Sequence, residues 1–122
     1  MKKEDLLIRT KQFSLRIIKL VEQMLKQPGI SRMLADQILR SGTSVGANYR
    51  ATCLAKSDKD FINKLKICEE EADETGFWLD MLIDSGTMRA DLLQDLRNEA
   101  AQITAILTAS IKTKKRNMDK AS

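Results

Sequence analysis

Basic side chains recur along the first half of the chain and cluster again in its last segment. A helix places Arg9, Arg16 and Lys19 on one side, because they are separated by seven and then three residues. Lys and Arg neutralise the phosphates of RNA and DNA, and this is the chemistry that the pattern favours. The candidate phosphate-binding residues are Arg9, Arg16, Lys19, Arg40, Arg50 and Lys56 in the first two predicted helices, and Lys112, Lys114, Lys115 and Arg116 in the last segment.

Acidic residues are concentrated in a different part of the chain. The formal charge is +7 over residues 1–56, −6 over 57–86, −1 over 87–111 and +4 over 112–122, so residues 1–111 are neutral together. Charge separated in this way serves a polyanion, a neighbouring subunit or packing within the chain. An alternative role for the bases is therefore pairing with the acidic third segment of the same or a neighbouring subunit.

Histidine is absent, and this excludes several classes of site. Without it there is no Ser/His/Asp or Cys/His nucleophile, no mixed Cys/His zinc site and no Glu-x-x-His di-iron site. Cys53 and Cys68 are too few for a zinc cluster and are expected to be reduced thiols. We expect no catalytic residue, metal or cofactor, and a non-enzymatic protein. The N-terminal residues resemble neither a signal peptide nor a membrane span, so we expect a cytoplasmic protein that does not insert into membranes.

Apolar residues repeat at helical spacing along most of the 122 residues, and this predicts an all-α domain. Helices are expected at about 5–27, 31–55, 58–84 and 87–114, with Ser31, Ser57 or Asp58, and Thr87 as N-caps. Four such helices joined by short loops predict an up-down-up-down bundle over residues 1–114. Residues 115–122 have no apolar period and are expected to form a flexible basic tail.

A helical wheel separates apolar residues that face the core from others that do not. The first helix has a broad core arc that includes Leu7, Ile18 and Leu25. The third and fourth helices each have a regular apolar seam. Large side chains outside these surfaces are candidate subunit contacts, and they are Ile8, Leu15, Ile67, Trp78 and Met81.

The second predicted helix contains two glycines four residues apart, Gly42 and Gly46. We expect the helix to be continuous here and the glycines to let another backbone approach closely, because Gly inside a helix is otherwise destabilising. A phosphate-binding loop is excluded, since no Gly-Lys-Ser/Thr follows. The expected packing motif is Ser41, Gly42, Thr43, Ser44, Gly46 and Asn48.

Four stretches together resemble the bacterial 23S ribosomal RNA intervening sequence protein family: RTKQFSLRIIKL at 9–20, RSGTSVGANYR at 40–50, AKSDKDFINKLKI at 55–67 and EADETGFWLDML at 71–82. The resemblance implies a left-handed up-and-down four-helix bundle that assembles as a ring-shaped homopentamer. It implies no catalytic residue. The family usually has Glu where this chain has Ala51, so any ion pair made by that Glu is absent here.

The resemblance also bears on function, since the family includes relatives of the accessory variability determinant of diversity-generating retroelements, which binds nucleic acid and a reverse transcriptase. We expect a non-enzymatic oligomeric adaptor that binds RNA or DNA through backbone phosphates. Tyr49 is the only aromatic residue expected to be exposed near the bases, so little sequence preference is expected. The alternative is a scaffold that binds a reverse transcriptase or a ribosome-associated protein without touching nucleic acid.

Overall fold

The computed structural model describes residues 1–121, and within them it contains four α-helices and no strand. The helices are α1 (Lys3–Lys26), α2 (Arg32–Cys53), α3 (Asp58–Ser85) and α4 (Ala90–Ala121). The all-α, four-helix prediction is therefore confirmed. In this part of the chain no helix has the length and apolarity needed to cross a bilayer.

Serine side chains begin two of the helices. The hydroxyl of Ser31 accepts a hydrogen bond from the backbone N–H of Leu34 at the start of α2, and Ser57 accepts one from Asp60 at the start of α3, both at 3.1 Å. Gly86 ends α3 in the left-handed conformation, with φ of +72°. The cap predicted at Thr87 is wrong, because α4 begins only at Ala90.

Helix α4 continues to Ala121, beyond the predicted end at Lys114. Residues 115–121 contain no Gly or Pro and consist largely of Lys, Arg, Met and Ala, which favour helix even without an apolar stripe. The predicted end of the last helix at Lys114 is therefore wrong, because residues 115–121 are helical. The mobility of this segment stays a prediction. Ser122 lies outside the described residues.

Neighbouring helices run antiparallel, because low residue numbers on one contact high residue numbers on the other. Between α1 and α2 the contacts are Ile17 with Gly42 and Ser14 with Gly46, and between α2 and α3 they are Arg40 with Glu71 and Val45 with Cys68. Between α3 and α4 they are Asp80 with Arg97 and Asp58 with Lys114. Between α1 and α4 they are Arg16 with Asp95 and Arg9 with Glu99. Helices α1 and α4 touch least among these pairs. The N-terminus of α1, the C-terminus of α2, the N-terminus of α3 and the C-terminus of α4 consequently share one end of the molecule.

The core lies along the predicted seams. All six predicted seam residues of α4 are buried: Leu93, Leu96, Ala100, Ile103, Leu107 and Ile111. The predicted core arc of α1 is too broad, since Leu7, Ile18 and Leu25 are 38%, 37% and 52% exposed. These three residues lie roughly 90° around the helix from the buried stripe, where a helix of this bundle faces solvent.

Candidate nucleic-acid interface

Two of the predicted phosphate-binding arginines on α1 point towards α4 and already hold acidic partners. Arg9 makes two hydrogen bonds to the carboxylate of Glu99, at 2.8 and 2.7 Å, and a third to Gln102 at 2.9 Å. Arg16 bonds Asp95 at 2.9 Å. The bidentate geometry raises the pKa of the Arg9 guanidinium, chiefly through its hydrogen bond to Glu99. Both side chains join α1 to α4.

Arg40 pairs with acidic residues of α3, as the alternative role for the bases predicts. Its guanidinium contacts Glu71 at 3.3 Å and also contacts Glu74. Burial raises the pKa of Glu71, and the charge of Arg40 opposes that shift. Glu74 in turn accepts a hydrogen bond from the indole N–H of Trp78 at 3.0 Å. Arg40 is therefore committed to the α2–α3 contact.

Lys114 also has a partner on α3. Its ammonium group lies 2.8 Å from the carboxylate of Asp58 and 5.2 Å from the centre of the Phe61 ring. Lys3 approaches the same ring at 5.7 Å. The last turns of α4 are thereby attached to the start of α3, close to the start of α1.

The other six predicted phosphate-binding residues form no salt bridge within residues 1–121, and these are Lys19, Arg50, Lys56, Lys112, Lys115 and Arg116. All six are exposed. All but Lys19 lie where α2 ends, α3 begins and α4 ends. We call this group the basic end: Arg50, Lys56, Lys112, Lys115 and Arg116.

Lys66 adds a further cation beside the basic end, and the sequence reasoning missed it because it lies in the acidic third segment. Along the α3–α4 contact, Asp80 bonds Arg97 at 2.6 Å and Glu69 accepts a hydrogen bond from Thr108. Nearer the basic end, the corresponding α3 and α4 residues are Lys66 and Lys115, which are both cations. Their proximity lowers the pKa of Lys115. No local pattern in the sequence could have revealed this pair, because it depends on the register between α3 and α4.

Four of the five predicted subunit contacts are exposed apolar residues. The exposed fractions are 62% for Ile8, 44% for Leu15, 46% for Ile67 and 38% for Met81. Trp78 differs, because it is partly buried against the core and hydrogen-bonded to Glu74. Its neighbour Phe77 is 50% exposed and meets the Trp78 ring edge-on at 5.0 Å, so sequence reasoning chose the less exposed aromatic of the two.

Gly42 and Gly46 face α1 at very short range. A Cβ at Gly42 would lie 2.6 Å from both γ-carbons of Ile17, and one at Gly46 would lie 2.7 Å from the hydroxyl oxygen of Ser14. That hydroxyl donates to the carbonyl of Gly42 and accepts from the N–H of Gly46. The other motif residues, Ser41, Thr43, Ser44 and Asn48, each donate to a carbonyl four residues earlier in α2.

Tyr49 is 3% exposed, so the expectation that it is an exposed aromatic is wrong. It lies on the core side of α2, and burial raises its pKa to about 12. Cys68 is also buried, and burial raises its pKa to about 12, while the pKa of Cys53 is raised for the same reason. Neither cysteine forms a disulfide, and neither has the depressed pKa of a reactive thiolate.

Comparison with known proteins identifies relatives over most of the chain. Residues 2–109 match the family described as 23S rRNA-intervening sequence protein. A crystal structure of a protein with unknown function from the S23 ribosomal protein family of Bacteroides thetaiotaomicron is 36% identical, with a TM-score of 0.85. The match covers 92% of this chain and 99% of that one. No protein of curated function matches. On these grounds the chain belongs to the 23S rRNA-intervening sequence protein family.

Proposed function

We propose that the protein is a non-enzymatic, oligomeric adaptor that binds RNA or DNA through backbone phosphates. The observation that carries the proposal is the basic end, where five exposed cations without salt bridges lie at the same end of the bundle and Lys66 adds a sixth. Such a group of cations neutralises backbone phosphates, and this contact does not depend on the base sequence. The description of the family by an rRNA intervening sequence is in keeping with an RNA ligand.

The proposal places the phosphate contacts at the basic end rather than along α1. Arg9, Arg16 and Arg40 are held by carboxylates of α3 and α4, so a phosphate would have to displace those partners. The cations of the basic end have no such competitor among residues 1–121, apart from the influence of Glu69 on Lys115 and of Asp60 on Lys56.

The proposed function also includes assembly of several subunits. We expect a left-handed up-down-up-down bundle that forms a ring-shaped homopentamer, as the family resemblance implies. In support of this, α1 exposes Ile8 and Leu15 while α3 exposes Ile67, Phe77 and Met81. Two different apolar faces on one subunit suit a head-to-tail contact, which forms a ring when the rotation between subunits closes. Five copies of the basic end would multiply weak phosphate contacts, and the protein would act in the cytoplasm.

The direct test measures binding of the full chain to fluorescein-labelled RNA and duplex DNA of several unrelated sequences, from about 50 to 200 mM salt. We expect similar affinities across sequences and a steep loss with salt, with each neutralised phosphate contributing about −0.7 to −0.9 to the log–log slope. Absence of binding to both nucleic acids at the lowest salt would refute the phosphate-binding role.

The second candidate function is a scaffold for a protein such as a reverse transcriptase or a ribosome-associated factor. The exposed Phe77 favours it, because an aromatic side chain that is half exposed on a helix is a common anchor for a partner protein. Under this alternative Phe77→Ala removes partner binding and leaves phosphate binding and assembly unchanged. Under the adaptor proposal with a ring, the same change weakens assembly.

A further inference from the structure

A cavity of about 650 Å³ opens between α1, α3 and α4 beside the basic end. Helices α1 and α4 touch each other little. Its apolar lining comes from Leu6 on α1, Leu65 on α3 and Ile106 on α4. Sites for small molecules are of this size and have mainly apolar walls with a few placed polar groups.

Tyr49 lines this cavity, and its hydroxyl group has no hydrogen-bond partner within residues 1–121. The residue is only 3% exposed, so its ring is held by the core. No fully enclosed side-chain oxygen or nitrogen in the described residues lacks a partner. The Tyr49 hydroxyl therefore faces the cavity, where a ligand atom or water satisfies it.

The wall formed by α4 carries further unused polar groups. The hydroxyl of Thr113 and the side-chain amide of Asn117 line the cavity without a hydrogen-bond partner among the described residues. Ser110 also lines the cavity, but its hydroxyl already donates to the carbonyl of Ile106 at 2.9 Å. A ligand with a purely aliphatic body would cover the three free groups without pairing them, and this is costly.

Two cations complete the lining. Lys3 and Lys114 lie over the Phe61 ring, at 5.7 and 5.2 Å from its centre, and both border the cavity. Lys114 also holds Asp58, whereas Lys3 has no salt bridge within residues 1–121. Among residues 1–121 no carboxylate is part of the lining itself, so an anionic group is favoured beside these lysines, and beside Lys3 above all.

We infer that this cavity binds one nucleoside monophosphate unit, with the base against the apolar lining, its polar edge towards Tyr49 and Asn117, and its phosphate near Lys3 and Lys114. A nucleotide combines a flat, largely apolar body with a hydrogen-bonding edge and an anion, and these are the three kinds of group that the lining complements. The unit is either a free nucleotide or one unstacked nucleotide of a single strand. The inference rests on the proposed function only in the second case.

The test uses the full chain with AMP, GMP, CMP and UMP, and follows ¹H–¹⁵N shifts and titration calorimetry. We expect shifts at residues 49, 61, 113 and 117, and a dissociation constant that rises about 2- to 10-fold in Tyr49→Phe, which removes one hydrogen-bonding group and keeps the ring. Asn117→Ala, a change at the surface of α4, provides a second variant with the same expected direction. Lys3→Gln should weaken binding, while Lys26→Gln, at the other end of α1, should not.

Two results would overturn the inference. One is the absence of shifts at these residues with millimolar nucleotide, combined with RNA binding that Tyr49→Phe leaves unchanged. The other is equal displacement of every nucleotide by inorganic phosphate, which would mean a bare anion site. Short single-stranded RNA separates the two sources, because only a strand-borne nucleotide makes RNA affinity sensitive to Tyr49→Phe. RNA binding that is unaffected by Tyr49→Phe, with no mononucleotide binding, would leave the adaptor proposal standing and remove this one.

Discussion

The arginines of this protein divide according to whether a carboxylate lies within reach. Arg9, Arg16, Arg40 and Arg97 each bond an acid on another helix, whereas Arg50 and Arg116 have no salt bridge within residues 1–121. A bidentate arginine held between helices contributes to stability, and an exposed unpaired one is free for a ligand. The two bidentate arginines, Arg9 and Arg97, should therefore affect folding when they are changed, and Arg50 and Arg116 should affect binding.

Arg9→Gln tests this division. The change removes two hydrogen bonds to Glu99 at a partly buried site, so the free energy of unfolding should fall by about 1 kcal/mol. Urea unfolding measures the loss, and Lys19→Gln on the same helix is the control, with a change within about 0.5 kcal/mol. If Arg9→Gln kept full stability but flattened the salt dependence of RNA binding, the stripe on α1 would be the phosphate surface after all.

Gly42→Ala tests the close approach of α1 and α2. The new methyl group would meet the γ-carbons of Ile17 at 2.6 Å, inside the core where that side chain has no room to move. We expect a net loss of about 1 to 3 kcal/mol in unfolding free energy, even though Ala is the better helix former. Gly76→Ala is the matched control, since its methyl group meets the far end of Arg97 and not a core side chain, and it should cost less than Gly42→Ala. Equal stability of the two variants would contradict the packing role.

Two of the helices, α2 and α3, begin at a serine cap, and removing a cap should destabilise the helix that it begins. Ser57→Ala removes the acceptor for the N–H of Asp60 and should cost about 1 kcal/mol, measured by thermal or urea unfolding. Thr87→Ala is the control, because the Thr87 hydroxyl meets only that of Ser85 and caps no helix. A larger loss at Thr87 than at Ser57 would show that α4 begins earlier than Ala90.

The start of α3 also predicts a pH dependence. Hydrogen bonds from Lys64 and then from the Lys56 backbone hold the pKa of Asp60 below its ordinary value. A carboxyl whose pKa is lower in the folded state stabilises the fold above its unfolded pKa, and the contribution disappears as pH falls through the folded pKa. Asp60→Asn should therefore be less stable than the natural chain near neutral pH, and the difference should shrink in acid. A difference that grows on acidification would contradict this.

Local patterns were sufficient to predict the four helices, two caps and most of the core. The seam of α4 and the caps at Ser31 and Ser57 depend only on spacing and side-chain chemistry within one helix. The pairing of Arg9 with Glu99 and the meeting of Lys66 with Lys115 depend on the register between helices, which one sequence does not specify. The burial of Tyr49 depends on the same packing.

At the scale of the whole molecule, the exposed apolar residues on α1 and α3 predict assembly. Ile8→Glu should weaken the oligomer, because it places a charge at a side chain that is 62% exposed in the single subunit and buried in the proposed ring. Light scattering at micromolar concentration measures the mass, and circular dichroism should show unchanged helix content. Leu92→Glu on α4 is the control, because that side chain is also 62% exposed but is not among the proposed subunit contacts. A natural chain that stays monomeric would contradict the ring.

The central claim is that the basic end binds nucleic-acid phosphates, and the most direct test is the salt dependence of binding. The triple variant Lys112→Gln, Lys115→Gln, Arg116→Gln keeps α4 and the Lys114–Asp58 pair but removes three charges. Its matched control, Lys26→Gln, Arg32→Gln, Arg89→Gln, removes three charges at the opposite end of the bundle. Anisotropy titrations of one labelled RNA at several salt concentrations give the slope of log affinity against log salt. We predict that the slope is less steep, by about 2 in magnitude, in the basic-end variant and changes little in the control. Equal slopes for the natural chain and both variants would contradict it.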